Sequence, residues 1–178
     1  MTDSIQEQDI VRGCKEGDAD AFRMVYDQYG DVLYRTALRM LRNSEDAEDA
    51  VQTAFVKLYR GIGNFDGRSK LSTYLFRILV NVCLDLVEKN KKKTRSFHLH
   101  GSKPSATPAH DLRLTLEDAI GQLPPRQRAC FILFAIEERQ QTEIARILGL
   151  SVGGVKSNLY HAKRQLRAIL SETEQETT

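Results

Sequence analysis

Apolar residues recur at intervals of three and four from Ile5 to about Glu88, the spacing of amphipathic helices. Phe22, Val25, Tyr26 and Tyr29 form one stripe, on a helix that Asp18 is placed to cap. Val32, Leu33, Thr36, Leu38 and Leu41 resume the pattern after Gly30. Asn43 or Ser44 opens the next helix. Its first turns hold Glu45, Asp46, Glu48 and Asp49, acids that suit the positive end of a helix dipole. Ala47, Val51, Ala54, Phe55 and Leu58 are its expected buried stripe. Gly61, Gly63 and Gly67 mark a loop around Phe65. Ser72 or Thr73 then starts a long helix with Tyr74, Leu75, Ile78, Leu79, Val82 and Leu86 on one face. This half predicts a helical bundle.

The pattern breaks over residues 89–111, which are basic and then rich in Ser, Pro, Thr and His. This stretch reads as a linker. A second helical unit begins near Leu112. Leu123, Pro124 and Pro125 stop one helix and start another, since Pro tolerates a first helical turn. Phe131, Ile132, Phe134 and Ala135 follow on an apolar helix. From Gln141 to Ala168 the chain has the spacing of a helix-turn-helix. Ala145 is small enough for a close crossing, and Gly149 can take the positive φ that closes the turn. Ser151 stands where an N-cap oxygen is needed. Val155 and Leu159 would face the partner helix. A plain basic pair of amphipathic helices is the alternative, and turn chemistry, apolar spacing and charge together favour the helix-turn-helix. The fold class expected is all-α, two small helical domains: residues 1–90, a linker over 91–111, a second domain over 112–172 and a tail over 173–178.

A chain of 178 residues with 41% hydrophobic content, no Trp and few Gly or Pro suits this picture. It has no long apolar run, and its N-terminus lacks the form of a signal peptide, so a cytoplasmic protein without membrane insertion is expected. The net charge of +2 conceals alternation. Residues 1–60 carry 8 basic against 12 acidic side chains, a balance of −4, whereas residues 61–95 stand at +5. Residues 96–150 balance to zero, residues 151–170 stand at +4, and the tail is at −3. Two separate contacts with a polyanion are therefore expected, rather than one diffuse basic surface.

Nucleotide-binding, hydrolase and metal motifs are absent, and nothing calls for a cofactor or a small-molecule substrate. Cys14, Cys83 and Cys130 fit no zinc spacing. Cys14 reads either as an exposed, reactive thiol or, favoured, as a reduced thiol like the other two. His98, His100 and His110 lack ligands of suitable spacing for a metal. The first basic block interleaves Phe65, Arg68, Lys70, Tyr74, Phe76, Arg77 and Asn81, as a single-strand binder does when bases stack on rings and cations follow phosphates. Core packing is the competing reading for Tyr74 and Phe76. The second block, on the last helix, carries Lys156, Lys163, Arg164 and Arg167 with no acid before Glu172, and such a helix enters a DNA major groove.

These segments resemble the extracytoplasmic-function (group IV) bacterial sigma factors of the sigma-70 family, from about Asp18 to Leu170. DAFRMVYDQYGDVLYRTALRMLRNSEDAEDAVQTAFVKLYR and NFDGRSKLSTYLFRILVNVCLD resemble region 2. AIGQLPPRQRACFILF and EIARILGLSVGGVKSNLYHAKRQLRAIL resemble region 4. The resemblance implies a protein that binds core RNA polymerase and promoter DNA, melts and reads the −10 element with region 2, and reads the −35 element with region 4. It also implies an anti-sigma factor as a further partner. Asp46, Asp49, Gln52, Thr53 and Phe55 match the helix that docks on the polymerase. Phe65, Tyr74 and Asn81 match positions near captured non-template bases, with Arg68, Lys70 and Arg77 on the backbone of that strand. Lys156, Ser157, Asn158, His161 and Arg164 match groove-facing positions. The family usually has Trp where Tyr74 stands, an apolar-aromatic pair where Arg139, Gln140 and Gln141 stand, and Arg where Asn158 stands.

Two rivals are open. A sigma mimic that sequesters an anti-sigma factor would be expected to lack the basic groove-facing residues. A stand-alone helix-turn-helix repressor would need a dimer surface that the sequence does not reveal, and would not need the acidic helix 44–60. An enzyme is a remote third.

Overall fold

Capping chemistry sets where the helices begin. In a computed structural model, which describes the backbone of residues 2–97 and 112–175 and the side chains of 7–91 and 116–171, the chain forms α1 (Thr2–Glu16), α2 (Ala19–Leu41), α3 (Ser44–Gly61), α4 (Leu71–Phe97), α5 (Leu112–Gln122), α6 (Pro125–Phe131), α7 (Gln141–Leu148) and α8 (Val152–Gln175). No strand occurs among the described residues. The chain divides into two compact units, one of residues 1–83 with Arg146–Leu148 and the other of residues 84–145 and 149–178. His98, His100 and His110 lie outside the described residues.

In the first unit, Asp18 caps α2 by accepting from the Asp20 amide at 2.9 Å. Asn43 caps α3 by accepting from the Asp46 amide at 2.8 Å. Arg42, at φ 58°, ends α2 in the left-handed conformation, so one two-residue turn closes one helix and opens the next. This reversal lays α3 antiparallel on α2, as the ring pairs Phe22–Tyr59 and Tyr26–Phe55 show. Small residues let the backbones approach. Ala37, Ala47, Ala50 and Ala54 are wholly buried beside Val25, Leu33 and Leu58. Gly13 serves the α1–α2 contact, where a Cβ would meet that of Ala21 at 2.8 Å.

The apolar pattern continues through Gly30, which is buried in the middle of α2, where the packed faces on either side outweigh the roughly 1 kcal/mol propensity cost of an internal Gly. Two expectations change. The long helix opens at Leu71, and Ser72 and Thr73 are buried in its first turn instead of capping it. It also runs to Phe97, through the first residues of the expected linker. Lys and Arg are good helix formers, and no Gly or Pro interrupts the chain before Gly101.

In the second unit, Pro124 and Pro125 separate α5 from α6 as expected. Arg128 ties the two together: its Nη2 donates to the carbonyl of Gly121 and, at 3.1 Å, to that of Leu123. The apolar run after Phe131 does not continue as an α-helix. Residues Ile132–Ile136 widen into a π turn, Glu137 donating to Ile132 O at 3.0 Å, and Glu138 then turns the chain at φ 51°. Arg139 bridges to Glu143 at 2.6 Å across the start of α7. α6 and α5 both pack on α8.

All three thiols are buried. Cys14, only 2% exposed, is therefore not the reactive surface thiol of the first reading. Burial, and secondarily Asp18, raises its pKa. Burial pushes Cys83 up to about 12, and Cys130 up to about 11 against the pull of Arg126.

Two predictions follow from these arrangements. Asn43→Ala removes the side-chain cap of α3, and should lower unfolding free energy by about 1 kcal/mol, read as a lower denaturant midpoint at unchanged m-value. The thiols set a pH dependence. Above the ordinary value of 9.0 the unfolded chain releases protons that the folded chain keeps, so their contribution is intact below that pH. It declines as pH rises towards 11 and 12, by up to about 1.4 kcal/mol per pH unit for each thiol. Denaturant midpoints followed over that range should fall more steeply for the native chain than for Cys83→Ala.

Candidate nucleic-acid interface

The helix-turn-helix is built as its sequence requires. Gly149 ends α7 at φ 63°, and its amide donates to Ala145 O. Leu150 donates to the same carbonyl at 2.9 Å, so two amides close the turn on one acceptor. Ser151 Oγ then accepts from the Gly154 amide at 3.0 Å and caps α8. Ala145, Val155 and Leu159 are buried. Val155, Leu159, Ala162 and Leu166 form the inward stripe of α8, which sends the opposite face to solvent.

On that outward face Lys156, Ser157, His161 and Arg164 are exposed, together with Arg167. Asn158 differs. It is half-buried, and its side-chain amide donates to Gly154 O at 2.8 Å, so one of its donors is held by the helix itself. Lys163 lies over the Phe134 ring at 5.1 Å. Tyr160, absent from the expected set, is 63% exposed and meets the His161 ring edge-on at 5.4 Å. It stands one turn from both Lys156 and Arg164, and that spacing was the signal that could have found it.

The first basic block divides differently from expectation. Lys70, Tyr74, Arg77 and Asn81 follow one another at helical spacing along α4; Tyr74 is half-buried and the other three are exposed. Phe65, expected beside captured bases, is 6% exposed. Its ring packs on that of Tyr74 at 5.1 Å, and Tyr74 Oη donates to Gly61 O at 3.4 Å. The interleaving of rings and cations that made Phe65 a surface candidate does not hold at this position: the ring packs inward and supports Tyr74 from behind. Phe76 is fully buried. Arg68 is exposed in a tight turn, its amide donating to Asp66 Oδ1 at 3.1 Å and its guanidinium pairing with Asp66 Oδ2 at 3.1 Å.

On α3, Asp49, Gln52 and Thr53 are exposed, while Asp46 and Phe55 are half-buried. Sequence reasoning missed what lies beside them. Tyr26, expected in the core stripe, is 56% exposed and packs on Phe55 at 5.0 Å; Tyr59 is 62% exposed and packs on Phe22 at 5.0 Å. Val56, one turn from Tyr59, is exposed as well, so the paired rings and Val56 leave apolar surface on the later turns of α3 and the first turns of α2.

The described residues thus define an all-helical protein with the features of a DNA-binding one: a helix-turn-helix with a basic outer face, and a basic stripe with one aromatic ring at the start of α4. Family comparisons agree. Residues 25–93 match Sigma-70 region 2, and residues 113–166 match Sigma-70 region 4. The chain is 33% identical to the ECF RNA polymerase sigma factor SigW of Bacillus subtilis, over 91% of this chain and 95% of that one. It is 33% identical to the ECF RNA polymerase sigma factor SigM of Mycobacterium tuberculosis, over 86% of this chain and 79% of that one. The chain belongs to the extracytoplasmic-function sigma factors of the sigma-70 family. Among solved structures, CnrH in complex with the cytosolic domain of CnrY is similar in fold, with TM-score 0.71 and 24% identity over 93% of this chain and 97% of that one. The sigma factor RpoE in complex with the anti-sigma factor NepR, from Bartonella quintana, is similar with TM-score 0.66 and 23% identity over 84% and 96%.

The turn supplies a direct check. A Cβ on Gly149 would meet nothing within 4 Å, so Gly149→Ala should cost only backbone strain, about 1–2 kcal/mol, visible as earlier thermal unfolding of the helix-turn-helix.

Proposed function

We propose that this protein binds core RNA polymerase, directs it to a class of promoters, and performs no chemistry of its own. The observation that carries this reading is the exposed face of α8: cations over its length, no acid from Val152 to Ser171, and a turn that presents it. Lys156, Ser157, His161 and Arg164 face the −35 duplex, joined by Tyr160. Asn158 contributes its remaining donor or its carbonyl. Phosphate contacts supply affinity and the few polar side chains read base edges.

The first unit takes the −10 element. Lys70, Arg77 and Arg68 follow the phosphates of the melted strand, Tyr74 offers a ring face, and Asn81 offers a polar edge. Phe65 acts as the backing of Tyr74. Capturing unpaired bases offsets an unpairing cost of roughly a few kcal/mol. Asp49, Gln52 and Thr53, with Asp46 and Phe55 half-buried beside them, dock on the polymerase. An anti-sigma factor is the regulatory partner, since RpoE and NepR form such a complex. The site of action is the cytoplasm, and among the described residues no helix is long and apolar enough to cross a membrane.

Run-off transcription from fragmented genomic DNA, with purified core polymerase and this protein, tests the reading. New transcripts with defined starts are expected, and their upstream sequences give the two elements. Core binding without transcripts would point to a missing activator or a defective −35 reader, and absence of core binding would sink the reading and favour the mimic or the stand-alone repressor. On a mapped promoter, Arg77→Ala and Lys156→Ala should each weaken holoenzyme binding and reduce the dependence of log affinity on log salt by about one.

A further inference from the structure

Leu71 opens α4 with an amide that needs an acceptor, and the residue before it is Lys70, whose side chain can only donate. The acceptor comes from 64 residues away. Glu7, half-buried on α1, takes the Leu71 N–H on Oε1 at 2.8 Å. The same helix α1 packs against the 3-10 turn Ile62–Asn64. One element therefore holds both ends of the segment that bears Phe65, Arg68 and Lys70. Between those ends, Asp66 ties only its own turn, through the amide and guanidinium of Arg68. The match to Sigma-70 region 2 starts at residue 25, so α1 lies outside it.

We propose that Glu7 is a positioning residue for capture of the melted −10 strand. Its carboxylate fixes the first turn of α4, and through that turn the direction in which Lys70, Tyr74 and Arg77 meet the strand. The hydrogen bond is charge-assisted and placed at the positive end of a helix, where an anionic acceptor is most effective. Without it the Leu71 amide must find water, the first turn of α4 loosens, and the stripe loses its register with the loop. This role rests on the reading of α4 as the −10 element's binding face.

The test uses holoenzyme reconstituted from core polymerase and the full-length chain, native or carrying Glu7→Ala or Glu7→Gln. The probe is a fluorescent non-template-strand oligonucleotide spanning the −10 element of a promoter mapped by run-off transcription. A duplex −35 fragment and core binding serve as parallel readouts. Glu7→Ala should lower affinity for the single strand about tenfold, the size set by one charge-assisted hydrogen bond. It should leave core assembly and −35 binding unchanged. Glu7→Gln keeps an accepting oxygen and should recover affinity to within about threefold of the native chain. Unchanged single-strand binding by Glu7→Ala overturns the positioning role, and so does an equal loss in both variants. A parallel fall in core binding and single-strand affinity overturns it too, because that is the mark of general destabilisation. If native holoenzyme fails to bind the strand at all, the functional reading fails and takes the role of Glu7 with it.

Discussion

Every α-helix begins with amide donors that no carbonyl of its own can satisfy, and a protein made of long helices and short turns meets that constraint repeatedly. The solutions found here organise much else. Asp18, Asn43 and Ser151 solve it locally, with a side-chain oxygen at the cap position. Pro125 lessens it by having no N–H to satisfy. Leu71 has neither recourse, and the chain recruits Glu7 from another helix. The helix starts with local solutions are defined by their own sequence. The start of α4 instead couples a distant helix to the segment that carries Phe65, Arg68 and Lys70.

Burial then decides which side chains are left to act. On α8 a single apolar stripe faces inward, so the cations, Ser157 and Tyr160 are left outside without competition. On α4 the inward face is broader, including Phe76, Leu79, Val80 and Cys83, and only a narrow stripe remains for Lys70, Tyr74, Arg77 and Asn81. Between α2 and α3, Ala37, Ala47, Ala50 and Ala54 bring the two backbones close, and Tyr26, Tyr59 and Val56 are left at the surface. Exposed apolar surface of this kind is costly to leave bare and suits a protein partner better than a nucleic acid.

The helix-turn-helix was legible residue by residue, because Ala145, Gly149, Ser151 and Val155 each answer a local steric or hydrogen-bonding demand. The same holds for the caps at Asp18 and Asn43 and for the double proline. What periodicity could not tell was which of two apolar-compatible faces wins. Phe65 went inside because Tyr74 offered it a ring, and Tyr26 stayed outside because α3 offered it only Phe55. The π turn at Ile132–Ile136 has no local marker, since nothing in Ile-Leu-Phe-Ala-Ile differs from an ordinary helical run. The Glu7–Leu71 bond is invisible in sequence for a simpler reason. It joins residues whose nearness exists only once α1 and α4 are in place.

Two exposed cations, one in each basic block, rest on weak local partners. Arg68 rests on Asp66, both exposed, in a pair worth about 0–1 kcal/mol. Lys163 rests on the Phe134 face, a contact of similar size. Such partners are cheap to leave, yet they keep long side chains from sampling every rotamer, so less entropy is lost when a phosphate replaces them. Each block offers only a few cations, and few phosphate contacts make weak binding at physiological salt. The two blocks lie on one chain, so engagement of the first raises the effective concentration of the second. On the proposed reading, two modest basic surfaces on one chain favour DNA that presents both a duplex element and a melted strand over duplex alone, which would satisfy only the helix-turn-helix.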